Sequence, residues 1–569
     1  MLAHGTHCPS FYESELFILC IDHHDAITSM IPTSLIISNG IIERMEMKQQ
    51  LMDLLDKHGL DESIRIIMQA YVSNKRPDLT ITWLVDDADI ESNDSINIDF
   101  SMISIGEIYE TMLALNDKHH KKDNGIYYTP DDAAEFMADR MLALFPFDDR
   151  NAILIEPCVG TGNLLMPFID NMPSNVNKWD FITNRLIIND LDENAVLITK
   201  TILAVKYAPE NMMVNDDFMN SCSRDFLLMK IPDDAHIIMN PPYGRTDNEN
   251  YLHYETYNIH DLYALFMEHA VKHAKTIVSV TPQSFLGSTK YDSLRSVIAS
   301  YANMNAYAFD NVPQSLFNGR KHGVFNTNTS NSVRACIEIM DTRNGNNVIK
   351  CTPMIRWQSN ERNELFTAAG KFMNNAFIQS YERNKPFRKI PAGLEHMVES
   401  LDSCEQLSSL YEDGEYTIHV PLTPRYATTA TVMNINRSNM INLKFDDENN
   451  MMLAYAIMNS FIAYIWWRMI DGGIKITNRQ IAITPIPALT DKQKCKLFNH
   501  VRSMIANEHN HLTIKLNAGK NNENVKWNQN EIRELNKLLL PDATEHELNA
   551  MDACHSPSLK TQMNILPND

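Results

Sequence analysis

The sequence lacks paired cysteines. Nine cysteines are scattered along 569 residues, and no two of them form a C-x-x-C pair. Structural zinc sites use such pairs and disulfide-bonded domains use regular cysteine spacing, so neither a metal site nor a disulfide framework is predicted. The hydrophobic content of 44% permits ordinary buried cores, and the length allows three or four domains.

An export signal is also missing from the first residues. Glu13, Asp22 and Asp25 lie where a signal peptide would be basic and then apolar, so a cytoplasmic protein is expected. Residues 451–470 form an apolar stretch of about the length that a bilayer requires. Polar residues and Arg468 interrupt this stretch, which favours a buried helix of a large domain and no membrane partner.

Positive net charge is absent too. The formal net charge of −22 excludes a uniformly basic nucleic-acid coat, although a local basic cleft can still contact phosphates. Basic residues cluster at 118–122, at 383–389 and around Lys475 and Arg479. Each cluster is equally compatible with a solvated surface.

The N-terminal residues, up to about 110, contain few chemical signals. Apolar spacing predicts helices over 43–55 and 62–71, and alternation predicts a strand over 79–85. Asp78 precedes that strand, but no Glu-x-Lys follows it. A metal-dependent nuclease would need the second carboxylate and the lysine, so none is predicted here.

The most informative stretch is residues 236–243, a strand that ends in Asn240-Pro241-Pro242-Tyr243. Two prolines remove two backbone donors, so the carbonyls of Asn240 and Pro241 cannot enter a helix or a sheet ladder. An amide, a free carbonyl and an aromatic face within four residues suit a planar amine such as that of adenine.

Acidic or glycine-rich turns follow three further predicted strands. Residues 152–156 lead into Glu156-Pro157 and then into Gly160 and Gly162, which allow a ligand to approach the backbone. A third glycine is missing at position 165, which argues against a dinucleotide site.

The next two strands are predicted over 185–189 and 212–215. The first ends at Asp190, whose carboxylate can accept both hydroxyls of a ribose, with Asp192 as second choice. The second ends at Asp217 and Phe218. Since ligands of parallel sheets bind at the carboxyl ends of strands, these residues and Asn240 are expected in one line.

Together these motifs resemble gamma-class N6-adenine DNA methyltransferases, particularly those of type II and type IIG restriction-modification systems. The segment 125–130, Gly-Ile-Tyr-Tyr-Thr-Pro, also resembles this family and leads into a helix for which Thr129 is a suitable N-cap. The resemblance implies an α/β fold with a Rossmann-like core that binds S-adenosyl-L-methionine, a helical N-terminal region and a mixed α+β target-recognition domain.

The resemblance also implies individual roles. The cofactor would be held by Thr129, Glu156, Gly160, Gly162, Asp190, Asp217 and Phe218. Asn240, Pro241, Pro242 and Tyr243 would be catalytic. An aromatic residue before the predicted strand 333–340 would stack on the flipped target base; Phe317 and Phe325 both fit, and either can be a core residue instead. A helix over 260–274 and a strand over 276–280 would extend the sheet.

The C-terminal half resembles the target-recognition domains of type IIG and type I systems. The resemblance is carried by Asn459-Ser460, by Gly472-Gly473-Ile474-Lys475 and by the segment 483–487. Helices are predicted at about 490–507 and 531–540, and a disordered tail after 541. The predicted domains are therefore 1–110, 111–345 for catalysis, 346–540 for recognition with Lys475 and Arg479 contacting DNA, and 541–569.

The function implied is methylation of adenine N6 in double-stranded DNA, in restriction-modification or in protection of phage or plasmid DNA. A separate cognate endonuclease is a possible partner. Two alternatives stay open: a methyltransferase acting on RNA guanine or on a protein glutamine, and a catalytically silent DNA-binding or anti-restriction protein. The Tyr-Thr-Pro segment and the long C-terminal half disfavour the first. The second is disfavoured by the intact Asn240 turn and by the acids Glu156, Asp190 and Asp217.

Overall fold

The computed structural model describes residues 34–84, 98–101, 103–116, 129–317, 333–424, 426–471, 473, 475–517 and 520–567. Phe325, residues 125–128, the basic cluster 118–122, Gly472 and Ile474 lie outside the described residues.

Fifteen strands are described. They are β1 Thr80–Ile81, β2 Ile153–Glu156, β3 Leu186–Asn189, β4 Met213–Val214, β5 Asn220–Cys222, β6 Ala235–Met239, β7 Thr276–Pro282, β8 Asn303–Ala308, β9 Ala335–Asp341, β10 Ile349–Cys351, β11 Ile378–Gln379, β12 Tyr416–Pro421, β13 Met440–Phe445, β14 Leu512–Asn517 and β15 Lys520–Val525.

The helices alternate with these strands in the first two thirds of the chain and dominate the last third. They are α1 Ser34–Lys75, α2 Ile105–Asn116, α3 Asp131–Leu144, α4 Leu165–Asp170, α5 Lys178–Arg185, α6 Glu193–Tyr207, α7 Leu262–His273, α8 Ser284–Gly287, α9 Asp292–Tyr301, α10 Leu365–Asn374, α11 Glu395–Asp402, α12 Glu448–Asn459, α13 Phe461–Ile470, α14 Asn478–Ala482, α15 Asp491–Asn507, α16 Gln529–Leu539, α17 Glu545–Cys554 and α18 Leu559–Met563.

A nine-stranded, mostly parallel sheet forms the centre of the α/β fold. Its strand order is β11-β10-β8-β9-β7-β6-β2-β3-β5. Only β9 and β11 run antiparallel to their neighbours. The inner strands are short apolar runs that are buried on both faces, as expected where helices cover both sides of a parallel sheet. The strands predicted at 152–156, 185–189, 236–239, 276–280 and 333–340 are confirmed as β2, β3, β6, β7 and β9.

Two strand predictions from the first half of the chain are only partly confirmed. The strand predicted over 212–215 is β4, which pairs with β1 in a separate two-stranded sheet, and β5 takes the place beside β3 instead. The strand predicted over 79–85 is limited to β1 and is followed by a 3-10 turn at Thr82–Leu84. The two predicted N-terminal helices are one element, α1, interrupted at Gly59, which has a φ of 74°.

The sheet continues beyond residue 345. Strand β10 pairs in parallel with β8, and β11 pairs with β10. A boundary between 345 and 346 would therefore cut the sheet and remove its two outer strands.

The C-terminal half consists of helices with two antiparallel hairpins, β12-β13 and β14-β15. The apolar stretch 451–470 forms two buried helices, α12 and α13, which break at Ser460, the N-cap of α13. The side chain of Asn459 bonds to both backbone groups of Ala430 at 3.0 Å, so the Asn-Ser pair fixes this break. No helix among the described residues has the length and apolarity to cross a bilayer.

The predicted disorder after residue 541 is wrong. Helices α17 and α18 occupy this region, and Leu559 is fully buried in the same apolar core as Leu365 and Phe372 of α10. The carboxylate of Glu361 accepts hydrogen bonds from Ser558 Oγ at 2.7 Å and from the backbone N–H of Leu559 at 2.9 Å. The acidic composition of this segment suggested disorder, but its apolar residues are numerous enough to pack against the core.

A buried charge cluster joins the sheet to the C-terminal half. Asp310, just after β8, pairs with Arg334 at 3.0 Å, with Arg356 at 2.8 Å and with Arg468 of α13. Close backbone packing reinforces this contact, because a Cβ on Gly287 would lie 2.0 Å from the carbonyl oxygen of Ile470. We refer to these four charged residues as the Asp310 cluster.

Candidate active site

The candidate site lies at the carboxyl ends of β2 and β6, where the order of the strands reverses. From β2 the chain continues to β3 on one side, and it returns to β6 on the other. Ligands of open α/β sheets bind at such reversal points. Glu156 ends β2 and Asn240 follows β6. The Cys158 thiol donates to the backbone carbonyl of Asn240 at 3.2 Å, so the two strand ends are in contact.

The side chain of Asn240 is oriented by Thr129. Its Nδ2 donates to Thr129 Oγ1 at 3.0 Å, and Thr129 is buried. This bond turns the amide nitrogen toward Thr129 and the amide oxygen away from it. Thr129 was expected to cap the next helix, but the N-cap of α3 is Pro130, without a side-chain bond. The carbonyl of Thr129 accepts from Asn163 Nδ2 at 3.3 Å, which ties the pair to the glycine loop.

Tyr243 is held at the edge of this site. Its hydroxyl donates to the carbonyl of Val280 in β7 at 3.0 Å. The ring centroids of Tyr243 and Phe317 are 6.4 Å apart, with the ring planes at 64°. The structure thus brings Phe317, which follows much later in the chain, next to Tyr243 of the Asn240 turn. The other aromatic residue considered for this role, Phe325, lies outside the described residues.

Glu156 is a buried carboxyl with an unsatisfied oxygen. The residue is 2% exposed, and Oε2 has no hydrogen-bond partner among the described residues. Burial, together with the nearby charge of Asp190, raises the pKa of Glu156 well above its usual range. Such a carboxyl would become ionised and stabilised if a cationic group of a ligand reached it.

Asp190 links the first two strand ends. It accepts from the backbone N–H of Gly160 at 2.9 Å and from that of Asp192 at 3.0 Å. Burial raises its pKa. Two carboxylate oxygens offer about four acceptor positions, so both hydroxyls of a diol can still be accommodated. The following residue, Leu191, is 75% exposed, an apolar side chain that sequence reasoning did not single out.

Glycines 160 and 162 have left-handed backbone conformations, with φ of 51° and 81°. A Cβ on Gly160 would meet no atom of the described residues within 4 Å, so this side of the loop is open with respect to them. A Cβ on Gly162 would instead lie 3.1 Å from Met166 and Thr199. The first glycine therefore exposes the backbone to a ligand, and the second allows the loop to pack on α6.

Phe218 has a different environment from the one expected. Its ring is stacked between Trp83, at 5.5 Å and 7°, and Trp179, at 5.1 Å and 5°. Both faces are therefore covered by indoles, and a flat ligand could contact only the ring edge unless a tryptophan moves. Asp217 beside it is exposed. Trp83 belongs to the N-terminal region, where no motif was found, so this stack was not predicted.

Helix α2 closes the same edge of the site. The Tyr109 hydroxyl donates to the carboxylate of Asp192, which also caps α6. A Cβ on Gly106 would approach Thr161 Oγ1 to 2.9 Å, so the start of α2 lies directly against the glycine loop. Tyr109 and Asn163 hold these segments in place through side-chain hydrogen bonds, and the sequence motifs did not identify either residue.

Lys475 lies just before α14 and Arg479 lies within it, and both residues are exposed. The neighbouring turn is anchored to the sheet, since Arg334 donates to the carbonyl of Gly473, whose N–H donates to Asp471 Oδ1 at 2.8 Å. The Asp310 cluster therefore supports the turn that carries these two cations.

Residues 101–319 match a protein family described as N-6 DNA Methylase. This segment contains the glycine loop, Asp190 and Asn240, and it has the sequence pattern of a DNA methyltransferase family.

Several solved structures are similar to the chain. The type IIG restriction endonuclease BpuSI shares 10% identity, with 92% of this chain and 77% of that chain covered and a TM-score of 0.42. The DrdV complex with DNA shares 15% identity, with 72% and 44% covered and a TM-score of 0.39. The methyltransferase subunit of a type I restriction-modification system from Streptococcus thermophilus shares 14% identity, with 48% and 60% covered and a TM-score of 0.32.

Proposed function

We propose that the protein is a site-specific DNA methyltransferase that transfers a methyl group from S-adenosyl-L-methionine to the N6 amine of adenine in duplex DNA. The observation that carries the proposal is the Asn240 amide, held by Thr129 beside the Glu156 and Asp190 carboxyls. This arrangement supports a target-amine acceptor next to a cofactor site at one edge of the sheet, within the segment that matches the methylase family.

The residues of the crevice fit S-adenosyl-L-methionine group by group. The unsatisfied oxygen of Glu156 suits the ammonium of the methionine part, and Asp190 suits the ribose hydroxyls. Gly160 opens the loop on that side, and Leu191 offers an apolar surface for the adenine ring. When bound, this cofactor supplies an electrophilic methyl group on a sulfonium. The predicted contact of Asp217 with the adenine amine remains part of the proposal.

The target adenine would leave the duplex, because a stacked base cannot bring its amine into the crevice. The oxygens of Asn240 and Pro241 would accept its two N–H groups, and Pro242 would keep the turn rigid. Holding both hydrogens on acceptors shifts the nitrogen toward a tetrahedral, nucleophilic form. Tyr243 and Phe317 would contact the faces of the base.

The C-terminal half would read the DNA sequence. Lys475 and Arg479 would contact the duplex from a turn fixed by Arg334. A methyltransferase of this kind protects DNA in a restriction-modification system, where a separate endonuclease would be its partner.

The direct test is to incubate the purified protein with S-adenosyl-L-methionine and plasmid DNA, and to analyse the nucleosides by mass spectrometry. We expect N6-methyladenine, and sequencing of the modified positions should return one short motif. Parallel incubations with ribosomal RNA and with release factor are the matched controls. Methylation of RNA guanine or of protein glutamine, with DNA unmodified, would overturn the proposal.

Asp190→Asn should weaken cofactor binding. The amide keeps the shape of the side chain, but it loses the charge that accepts the ribose hydroxyls. A loss of about 1.5–3 kcal/mol is expected for hydrogen bonds to a charged group. Calorimetric titration with S-adenosyl-L-methionine measures it. The exposed residue Asp233 provides the control variant Asp233→Asn; equal affinities of the two variants would reject this placement of the ribose.

Thr129→Val should slow methyl transfer by a larger factor than it weakens cofactor binding. Valine has nearly the same shape but cannot accept the bond from Asn240 Nδ2, so the amide loses its fixed rotation. Because a misplacement of about 1 Å can cost about 100-fold in rate, we expect kcat to fall by about 10- to 100-fold. Thr129→Ser retains the hydroxyl and should restore most of the rate. If valine and serine were equally active, Thr129 would not position Asn240.

Replacing Lys475 and Arg479 together with alanine should weaken DNA binding by about 1–3 kcal/mol if one of them makes a bidentate base contact. Both side chains are exposed, so folding and cofactor affinity should not change. Fluorescence anisotropy with a labelled duplex measures the effect. Unchanged affinity would remove this turn from the DNA interface.

A further inference from the structure

A cavity of about 40 Å³ lies beside the Asp310 cluster, where α13 meets the sheet and the last helices. Its lining includes Arg356, Lys389, Tyr464, Arg468 and Gln562. A water needs about 10–15 Å³ of such space, so the cavity has room for a group larger than one water.

The side chains around this cavity carry more positive than negative charge. Arg356 and Arg468 have side-chain exposures of 2% and 7%, and both share Asp310, at 1%, with Arg334. Lys389 adds a fourth buried cation at 1% exposure. Asp471 lies close enough to raise the pKa of Lys389, but it is half-buried and also binds the N–H of Gly473.

Several donors at the cavity have no acceptor within the part of the chain that the structure describes. There, Lys389 Nζ, Arg468 Nε and Arg468 Nη1 are buried and without hydrogen-bond partners. Burial lowers the pKa of Lys389 to about 8, so at pH 7 the ammonium is still mainly protonated. Leaving buried cations uncompensated is strongly unfavourable, and a water can satisfy donors but cannot neutralise their charge. An anion in the cavity would accept these bonds and would offset the charge that Asp310, shared among three arginines, does not balance.

We propose that this cavity binds one small oxyanion of the phosphate and sulfate class, held by Lys389 and Arg468. Lysine and arginine are the side chains that bind such groups through charge-assisted bonds. The size of the cavity favours the free inorganic ion over a phosphate carried by a nucleotide.

The bound anion would strengthen the junction between the sheet and the C-terminal half. The backbone N–H of Lys389 donates to the carbonyl of Met469 in α13 at 3.0 Å, and Phe387 N–H donates to Leu286 in α8 at 2.7 Å. An ion between Lys389 and Arg468 would add a third link between these segments. Its effect should therefore appear as stability of the whole chain, separately from methyl transfer.

The test uses the full chain and inorganic phosphate at constant ionic strength. Thermal unfolding of the wild type should shift to higher temperature and saturate with phosphate, and equilibrium dialysis with labelled phosphate should give one ion per chain. Lys389→Met should abolish both effects. Because this change removes a buried charge without a hydrogen-bond partner, the variant should be at least as stable as the wild type in phosphate-free buffer.

Two controls separate this cavity from other anion sites. Lys385→Met removes a cation that is 66% exposed, and the variant lacking Lys475 and Arg479 removes the proposed DNA contact; both should retain the phosphate effect. Absence of saturable binding to the wild type, or unchanged binding to Lys389→Met, would overturn the proposal. If chloride raised the unfolding temperature as much as phosphate does, the ligand would not be an oxyanion. If adenosine monophosphate raised it and phosphate did not, the ligand would not be the free inorganic ion.

Discussion

Asn240→Ala should remove nearly all methyl transfer while the protein still folds and binds S-adenosyl-L-methionine. The amide oxygen is the proposed acceptor for the target amine, and its contribution grows as that nitrogen becomes tetrahedral. Loss of one preorganised hydrogen-bonding group at a reacting centre costs about 10²- to 10³-fold in kcat. Single-turnover transfer of a labelled methyl group to a duplex measures the chemical step.

The backbone contacts of Asn240 make this variant informative. The Cys158 thiol bonds to the carbonyl of Asn240, and this bond does not depend on the side chain. The turn should therefore keep its place, and calorimetry should find cofactor affinity unchanged. Near-normal turnover in Asn240→Ala would refute the mechanism, whereas loss of cofactor binding would show that the variant has disturbed the crevice.

The largest effect on stability is expected for Asp310→Asn. The amide keeps the shape of the side chain but removes the only carboxylate that contacts Arg334, Arg356 and Arg468 in the described part of the chain. Removing one partner of a buried ion pair costs about 3–5 kcal/mol, because the remaining charges stay buried. Urea unfolding should show this loss in the free energy of unfolding.

An exposed ion pair supplies the control. Asp413 pairs with Lys444 at 2.7 Å, and their side chains are 89% and 55% exposed. Surface pairs contribute about 0–1 kcal/mol, so Asp413→Asn should have little effect on unfolding. If the two variants unfolded alike, the Asp310 cluster would not stabilise the junction.

The same cluster predicts a dependence on acidic pH. The three arginines hold the pKa of Asp310 well below its usual range. A carboxyl whose folded pKa is depressed contributes its stability above the unfolded value near 4, and this contribution is lost as pH falls through the folded value. Wild type should lose stability over that acidic range by more than Asp310→Asn does.

The central strands and their turns could be predicted from sequence because their signals are local. Strands β2, β3 and β6 are consecutive apolar residues, and Glu156, Asp190 and Asn240 follow them directly. Since strand ends of a parallel sheet meet at one edge, the residues that line the crevice followed from order alone.

Contacts between distant segments could not be predicted in this way. The stacking of Trp83 on Phe218 and the pairing of β4 with β1 join the N-terminal region to the chain between α6 and β5. Strands as short as β10 and β11 have no periodicity of their own, and their pairing depends on β8. Thr129 suited a helix N-cap by local rules, but the hydroxyl bonds to a side chain 111 residues away.

The chain returns to the sheet and its core after residue 345. This affects how the segment proposed to recognise DNA should be exchanged between proteins. Strands β10 and β11 complete the sheet, and Leu559 of α18 packs into the same core as α10. The intervening residues, about 380–540, are thus inserted in the body that contains the sheet and are connected to it at both ends. A graft made at a single junction near 345 would expose the edge of β8 and separate α18 from its core, whereas a graft with two junctions would preserve both.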